Sequence, residues 1–167
     1  MPKLIKLHGG NADFANDAFV VATEEEGVPA SGGVILSLTQ FREVGQALVD
    51  AGRSVGVLIQ AGEAVEDIAD DLPHLALVAI AFPKYRDGRG YSSARLLRDR
   101  YGYDGEIRAV GDVLREQAGP MVRCGFDAFE PADGSTPQEW LAAAHRYSHV
   151  YQRGADTRQP AYVERSH

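Results

Sequence analysis

The most chemically loaded stretch of the sequence is the loop FPKYRDGRGYSSAR, which begins at Phe82. It places cations, hydroxyls and glycines directly before a segment with helical periodicity. A helix N-terminus offers unpaired backbone N–H groups and a positive dipole end, and arginine can bind an oxyanion through two parallel hydrogen bonds. The loop therefore predicts a site for phosphate, sulfate or carboxylate. Its predicted anion-binding residues are Lys84, Arg86, Gly88, Arg89, Gly90, Ser92 and Ser93.

The same loop also has a purely structural interpretation. Gly88 and Gly90 permit positive φ and close approach of the backbone to a ligand, but Asp87-Gly88-Arg89-Gly90 is equally a good turn. Ser92 or Ser93 would be an ordinary N-cap. The loop is neither a Walker A motif nor the dinucleotide-binding G-x-G-x-x-G motif. Both interpretations stay open on the sequence alone.

Three residues are candidates for acid–base catalysis beside such an anion. Asp112 follows a predicted strand and could act as a base, with Tyr85 or Tyr91 as the acid. Capping of the next helix is the favoured interpretation of Asp112, and pairing with Arg86 or Arg89 is another. The catalytic residues, and whether there is catalysis at all, therefore remain open.

The sequence offers few other reactive groups. Cys124 is the one cysteine, so it cannot form an internal disulfide or hold an iron–sulfur cluster alone. A buried structural cysteine is favoured over a thiol of low pKa beside Arg123. His145 and His149 have i, i+4 spacing without the H-E-x-x-H pattern, which favours surface histidines. We predict no metal site.

Charge and hydropathy restrict the partners. The net charge of −7 argues against nucleic-acid binding. Residues 1–81 carry four lysines and arginines against twelve acids, whereas residues 82–126 carry nine against six, so a locally positive segment could focus an anion. The chain has no apolar run of membrane-spanning length and no apolar leader at its start, and we expect a cytoplasmic protein that does not bind membranes.

Alternating strand and helix patterns surround the loop. Strands are predicted at residues 34–38, 55–59, 75–82, 106–110 and 127–129, with helices between them and Thr39 as the first N-cap. They predict a single α/β domain with a mostly parallel sheet of about five strands and flanking helices. A three-layer sandwich is favoured, and a partial barrel is the alternative. Sites in such sheets form at the carboxyl ends of strands, where the loops 82–91, 110–112 and 130–135 should converge.

The predicted organisation has three parts. Residues 1–33 form a lead-in, with a hairpin between a strand near Leu4 and a second strand at Phe19–Val21. Residues 34–152 form the α/β domain, whose last helix starts at a capping box with Thr136 as the N-cap. Residues 153–167 are polar without periodicity and are predicted to be a flexible tail.

The central segment resembles a known family. The residues that carry the resemblance are Phe82–Ser92, Ala94–Arg98, Tyr101-Gly102, Arg108–Arg115 and Arg123–Phe129. Together they resemble the signature of the bacterial domain of unknown function 934. The resemblance is dense over residues 75–130 and looser over residues 30–75.

Members of that family are often labelled as oxidoreductases of sulfite reduction. The resemblance implies an accessory role in assimilatory sulfite and sulfate reduction, with sulfite reductase or its electron donor as the partner. The alternative is an enzyme acting on a phosphorylated or sulfur-containing small anion. No cofactor is required by the sequence; an oxidoreductase would have to borrow one, such as a flavin bound through the loop. A homo-oligomer stays open.

Overall fold

One mixed sheet of eight strands organises the chain. The computed structural model describes residues 3–84 and 87–146. The strands are β1 (Leu4–His8), β2 (Asn11–Ala15), β3 (Phe19–Val21), β4 (Gly33–Ser37), β5 (Val55–Ile59), β6 (Leu77–Phe82), β7 (Glu106–Gly111) and β8 (Ala128–Phe129), in the spatial order β2-β1-β8-β7-β6-β5-β4-β3. Strands β3 to β8 run parallel, while β1 is antiparallel to β2 and β8. The predicted α/β class is confirmed, but the sheet is larger and more mixed than expected.

Five helices connect or follow these strands. Helix α1 (residues 38–50) contains a π-helical part at Phe41–Gly45, and α2 (Val65–His74) is a 3₁₀ helix. Helix α3 (residues 89–100) ends in a π-helical part at Leu96–Arg100. Helix α4 (residues 115–124) starts with a 3₁₀ turn, and α5 is Pro137–Ala144. Among the described residues, none of these helices combines the length and hydropathy needed to span a membrane.

The strand order places the helices on one face of the sheet. Strands β4 to β8 are neighbours in chain order, so right-handed crossovers all carry their helices to the same side. Alternate strand residues join the helices there in one core. Its members include Val34, Leu36, Val57, Ile80, Phe82, Ile107, Phe129 and Trp140. The favoured three-layer sandwich is therefore wrong, and the sheet curls into a half-barrel, close to the partial barrel kept as an alternative.

The N-terminal segment forces this curl. Strands β2 and β3 lie at opposite edges of the sheet, yet only residues 16–18 separate them in the chain. Edges of a flat eight-stranded sheet would stand roughly 34 Å apart. The link from Ala15 to Phe19 reaches at most about 14 Å. The first 33 residues are thus integral to the sheet.

The predicted hairpin and one predicted cap need correction. Strand β1 pairs with Asn11–Ala15 and not with Phe19–Val21, which pairs with β4. Asn and Asp are depleted in strands, so the sequence of β2 gave little indication of a strand. Helix α1 is capped by Ser37 instead of Thr39, since the backbone N–H of Gln40 donates to Ser37 Oγ at 3.2 Å. The capping box of Thr136 and Glu139 is confirmed.

Candidate functional site

A pocket of about 200 Å³ lies at the carboxyl ends of β5 and β6. Its walls are the loop after β5 and the first turn of α3, with Ile80 and Ala81 of β6 beside them. The parallel register that pairs Ile59 with Ile80 brings these two segments together. The residues that give the pocket its polar character and shape are Gln60, Gly62, Glu63, Arg89, Gly90 and Ser93.

Arg89 is held in place by Asp87. Its Nη2 lies 2.6 Å from Asp87 Oδ2 and its Nε lies 3.0 Å from Oδ1, a bidentate ion pair. The hydrogen bonds from the Arg89 side chain and backbone lower the pKa of Asp87 to about 2, and the same pairing raises the pKa of Arg89. Asp87 therefore stays ionised at any physiological pH and keeps the guanidinium in one orientation.

Asp87 also organises the start of α3. Its Oδ1 accepts a hydrogen bond from the backbone N–H of Arg89 at 3.1 Å. The helix starts at Arg89, so Ser92 and Ser93 are not N-caps, and Ser93 Oγ donates to the carbonyl of Arg89 at 3.4 Å. One acid thus positions both the helix end and the arginine side chain.

Glycines shape the pocket in a way that differs from the expectation. Gly88 has φ −85° and Gly90 is helical, so neither adopts positive φ. A Cβ on Gly90 would stand 2.6 Å from the Phe82 ring, so this glycine lets α3 pack against β6. Gly62, outside the predicted set, has φ +88°, and a Cβ there would lie 3.3 Å from Arg89 Nη1. The backbone at Gly62 therefore lies directly beside the guanidinium.

Three of the seven predicted anion-binding residues line this pocket: Arg89, Gly90 and Ser93. Lys84, Gly88 and Ser92 are exposed and lie outside its lining. Arg86, together with the candidate acid Tyr85, falls outside the described residues. The loop after β5 was missed, because Gln60-Ala61-Gly62 carries no charge and the charged residue of the loop, Glu63, is distant from Arg89 in the chain.

The remaining catalytic candidates lie elsewhere. Tyr91 is half-buried with its ring centroid 5.5 Å from that of Phe82, and burial raises the pKa of its phenol while a hydrogen bond with Gln117 opposes the rise. The backbone N–H of Asp112 donates to the carbonyl of Phe82 at 2.7 Å. Neither residue lines the pocket.

Asp112 is not the cap of α4. That helix starts at Arg115, whose backbone N–H donates to Asp133 Oδ2 at 3.0 Å. The side chain of Gln117 accepts from the backbone N–H of Leu114 at 3.0 Å. The favoured capping interpretation of Asp112 is therefore wrong, because three residues separate the end of β7 from the start of α4 and the last of them, Leu114, occupies the N-cap position.

Among the described residues, Cys124 and His145 are not part of a reactive arrangement. Cys124 is half-buried at the end of α4, and burial raises the pKa of its thiol although Arg95 and Arg123 act to lower it. This contradicts the alternative of a thiol with a low pKa. His145 is exposed, and His149 falls outside the described residues. Within residues 3–84 and 87–146, no group of three or more His, Cys, Asp or Glu could hold a metal ion.

A buried ionic cluster inside the curled sheet was also missed. Arg108 on β7 is only 1% exposed and pairs with Asp17 at 2.7 Å, Glu106 at 2.9 Å and Glu130 at 3.4 Å. Its register partner Ala79 belongs to the small cluster on the face without helices, which places Arg108 on the concave side. The alternation in Glu106-Ile107-Arg108-Ala109 was the available signal, because it points the two charges away from the core.

This cluster anchors the link between the two edge strands to the middle of the sheet. Asp17 belongs to the short link between β2 and β3, and it reaches Arg108 in the middle of the sheet. Burial raises the pKa of Glu130, with Arg108 acting in the opposite direction. Lys6 Nζ adds a second cation at 2.8 Å from Glu106 Oε1. Each carboxylate of the cluster thus faces a cation, which fits a structural role.

A larger pocket of about 830 Å³ lies between the β1–β2 hairpin and helices α3, α4 and α5. Its arginine, Arg98, donates to the carbonyls of Tyr103 at 2.6 Å, Gly105 at 2.7 Å and Gly125 at 3.0 Å. These bonds hold three chain segments together. Because its donors are already committed to carbonyls, Arg98 is poorly suited to bind an anion.

The comparison with known proteins gives a family. Residues 56–162 match the family described as "Bacterial protein of unknown function (DUF934)". The match covers more than half of the chain and includes β6 to β8, all of β5 except its first residue, Gly62 and Arg89. No curated protein matches the chain. The chain therefore belongs to this bacterial family.

Proposed function

We propose that this chain is a cytoplasmic accessory protein of assimilatory sulfite and sulfate reduction. In this proposal, the basic loop of residues 84–93 binds a small oxyanion or docks an acidic redox partner. The pathway comes from the labels of the family that the sequence resembles. The binding role is supported by one observation: Asp87 fixes Arg89 at the rim of the pocket beside Gly62.

Arg89 is suited to bind an anion because Asp87 accepts hydrogen bonds from only part of the Arg89 guanidinium. Nε and Nη2 donate to the carboxylate, whereas Nη1 lies beside Gly62 at the pocket wall. A fixed guanidinium loses less conformational entropy when it binds, so its remaining N–H groups are preorganised for an oxyanion. The side chain is 63% exposed, which leaves it accessible from solvent.

The size of the pocket favours a small ligand. Sites for drug-sized ligands and cofactors usually measure about 300–1,000 Å³. At about 200 Å³ the pocket suits an inorganic oxyanion better than a flavin. The basic loop around it could still steer a larger acidic partner toward the same surface.

The test is isothermal calorimetry of the purified protein against sulfite, sulfate, phosphate, adenylylated sulfate and flavin mononucleotide. We expect saturable binding of at least one small oxyanion, weakened about tenfold or more by Arg89→Ala. Arg100→Ala is the matched control, because it removes the same charge from an exposed position at the other end of α3. Equal affinity in both variants would contradict the assignment of the site.

The partner half of the proposal needs a separate experiment. Sulfite reductase and its electron donor are each titrated with this protein while binding and turnover are followed. We expect a complex that weakens as salt rises, because the docking loop is basic and the donor acidic. No binding and no change in turnover would refute the accessory role, even where the calorimetry succeeds.

A further inference from the structure

The pocket that holds Arg89 is also lined by a carboxylate, Glu63. Its Oε2 accepts a hydrogen bond from the backbone N–H of Gln60 at 2.8 Å, which fixes the side chain in the loop after β5. Arg89 pairs with Asp87. Within the described part of the chain, it forms no ion pair with Glu63. A guanidinium that pairs with Asp87 and a separate carboxylate therefore line one pocket without forming an ion pair with each other.

This arrangement would distinguish oxyanions that carry an acid proton from oxyanions that carry none. An ionised carboxylate can only accept hydrogen bonds. Sulfate, which has no proton near neutral pH, also only accepts, so it would bring a second anionic acceptor against Glu63. Hydrogen phosphate and hydrogen sulfite carry an acid proton that can be donated to Glu63 while their other oxygens accept from Arg89.

We propose that Glu63 makes the pocket selective for oxyanions that keep an acid proton, such as hydrogen phosphate or hydrogen sulfite, over sulfate. The inference rests on the proposed function, because it requires an anion at Arg89. Selectivity of this kind comes from a penalty on the wrong ligand, since an unpaired acceptor in the site costs affinity. In this proposal, the Glu63 carboxylate determines which oxyanion binds.

The pocket lined by these groups has the size of a site for one small ligand. The pocket measures about 200 Å³, and Gly62 contributes no side chain to it. A Cβ at Gly62 would lie 3.3 Å from Arg89 Nη1, so a larger residue would fill the space beside the guanidinium. Ser93, one turn into α3, is part of the same wall. A single small oxyanion fits this description.

The first test is calorimetry with phosphate, sulfite and sulfate at matched ionic strength. We expect the unmodified protein to bind phosphate and sulfite about tenfold or more tightly than sulfate. Glu63→Gln should bind sulfate more tightly and reduce that ratio to about threefold or less. Glu66→Gln is the matched control, because Glu66 is exposed on α2 and does not line the pocket.

A second readout uses pH. Sulfite loses its acid proton as the solution passes from mildly acidic to mildly alkaline, whereas phosphate keeps one. The affinity for sulfite relative to phosphate should therefore fall as pH rises in the unmodified protein. The same ratio should change less in Glu63→Gln, in which an amide that can donate replaces the carboxylate.

The outcomes separate the two proposals. Sulfate binding as tight as phosphate binding in the unmodified protein overturns the selectivity role of Glu63 and leaves anion binding at Arg89 intact. Absence of binding by all three anions overturns the selectivity role together with the inorganic oxyanion site at Arg89. Because the ratio in the unmodified protein decides the first question, a folding defect in the variant cannot obscure the result.

Discussion

Two arginines of this molecule are paired with carboxylates in opposite ways. Arg108 is 1% exposed and has three acids around it, whereas Arg89 is 63% exposed and has one. A buried guanidinium must be neutralised and hydrogen-bonded, or its desolvation would destabilise the fold. An exposed one needs only enough contact to fix its orientation. The first arrangement anchors the link between the edge strands to the middle of the sheet, and the second leaves N–H groups of Arg89 for a ligand.

The largest expected effect comes from replacing the buried arginine. Arg108→Met would leave Asp17, Glu106 and Glu130 facing one another in a mostly buried space with Lys6 alone to balance them. We expect the free energy of unfolding to fall by about 3–5 kcal/mol. Urea unfolding followed by circular dichroism measures this loss.

The matched substitution is Arg89→Met. It should leave the urea midpoint unchanged within error, because the Arg89–Asp87 pair is solvent-exposed and such pairs add little to stability. Similar losses for both variants would show that the comparison between the two arginines is wrong.

A second prediction concerns the packing beneath Arg89. Gly90→Ala would place a Cβ 2.6 Å from the Phe82 ring, so α3 would have to move away from β6. We expect a loss of about 1–3 kcal/mol in the free energy of unfolding. Oxyanion affinity should fall with it, because Arg89 starts the same helix.

Gly88→Ala is the control for this packing effect. Gly88 has φ −85°, and a Cβ there would meet nothing within 4 Å. The free energy of unfolding of this variant should change by no more than about 1 kcal/mol in either direction, because alanine restricts the unfolded chain but is a poorer N-cap than glycine. A loss as large as that of Gly90→Ala would mean that the first turn of α3 is not packed as described.

The smallest expected effect is the contribution of Glu130 to the pH dependence of the free energy of unfolding. Burial raises the pKa of Glu130 in the folded state above its value in the unfolded state. The folded state therefore binds the proton more tightly. Once Glu130 is ionised in both states, it destabilises the folded protein. The unfolding free energy of Glu130→Gln minus that of the unmodified protein should therefore rise with pH. The rise should begin near the ordinary glutamate pKa of 4.5 and end above the folded value. A difference that falls with pH would contradict the assigned direction.

Apolar periodicity predicted much of the helix-covered sheet. The apolar run ending at Phe82 is β6, and Val65, Ile68 and Leu72 are buried as their spacing indicates. The curl was not predictable from local pattern, since it depends on which distant strands pair with β1 and β4. Strand β2 was missed because its ladder forms through backbone groups while its side chains favour loops.

Only part of the candidate site was predictable from the sequence, again because the rest depends on which strands pair. Arg89 and Ser93 were identified from composition, since charge and hydroxyls before a helix are local features. Gly62 and Glu63 were not, because their place beside Arg89 follows from β5 and β6 being neighbours in register. Neighbouring strands in a parallel sheet bring their following loops together, so the loop after β5 is the place where a second wall should be sought.

The most direct test of the central claim is to locate a bound oxyanion by NMR. Backbone amide shifts are followed while phosphate is titrated into the labelled protein. Binding at the pocket predicts the largest changes at Gly62, Glu63 and the turn from Arg89 to Ser93, with Gly102 and Gly125 at the larger pocket unaffected. Changes centred on Gly102 and Gly125, or none at saturating phosphate, would contradict the account.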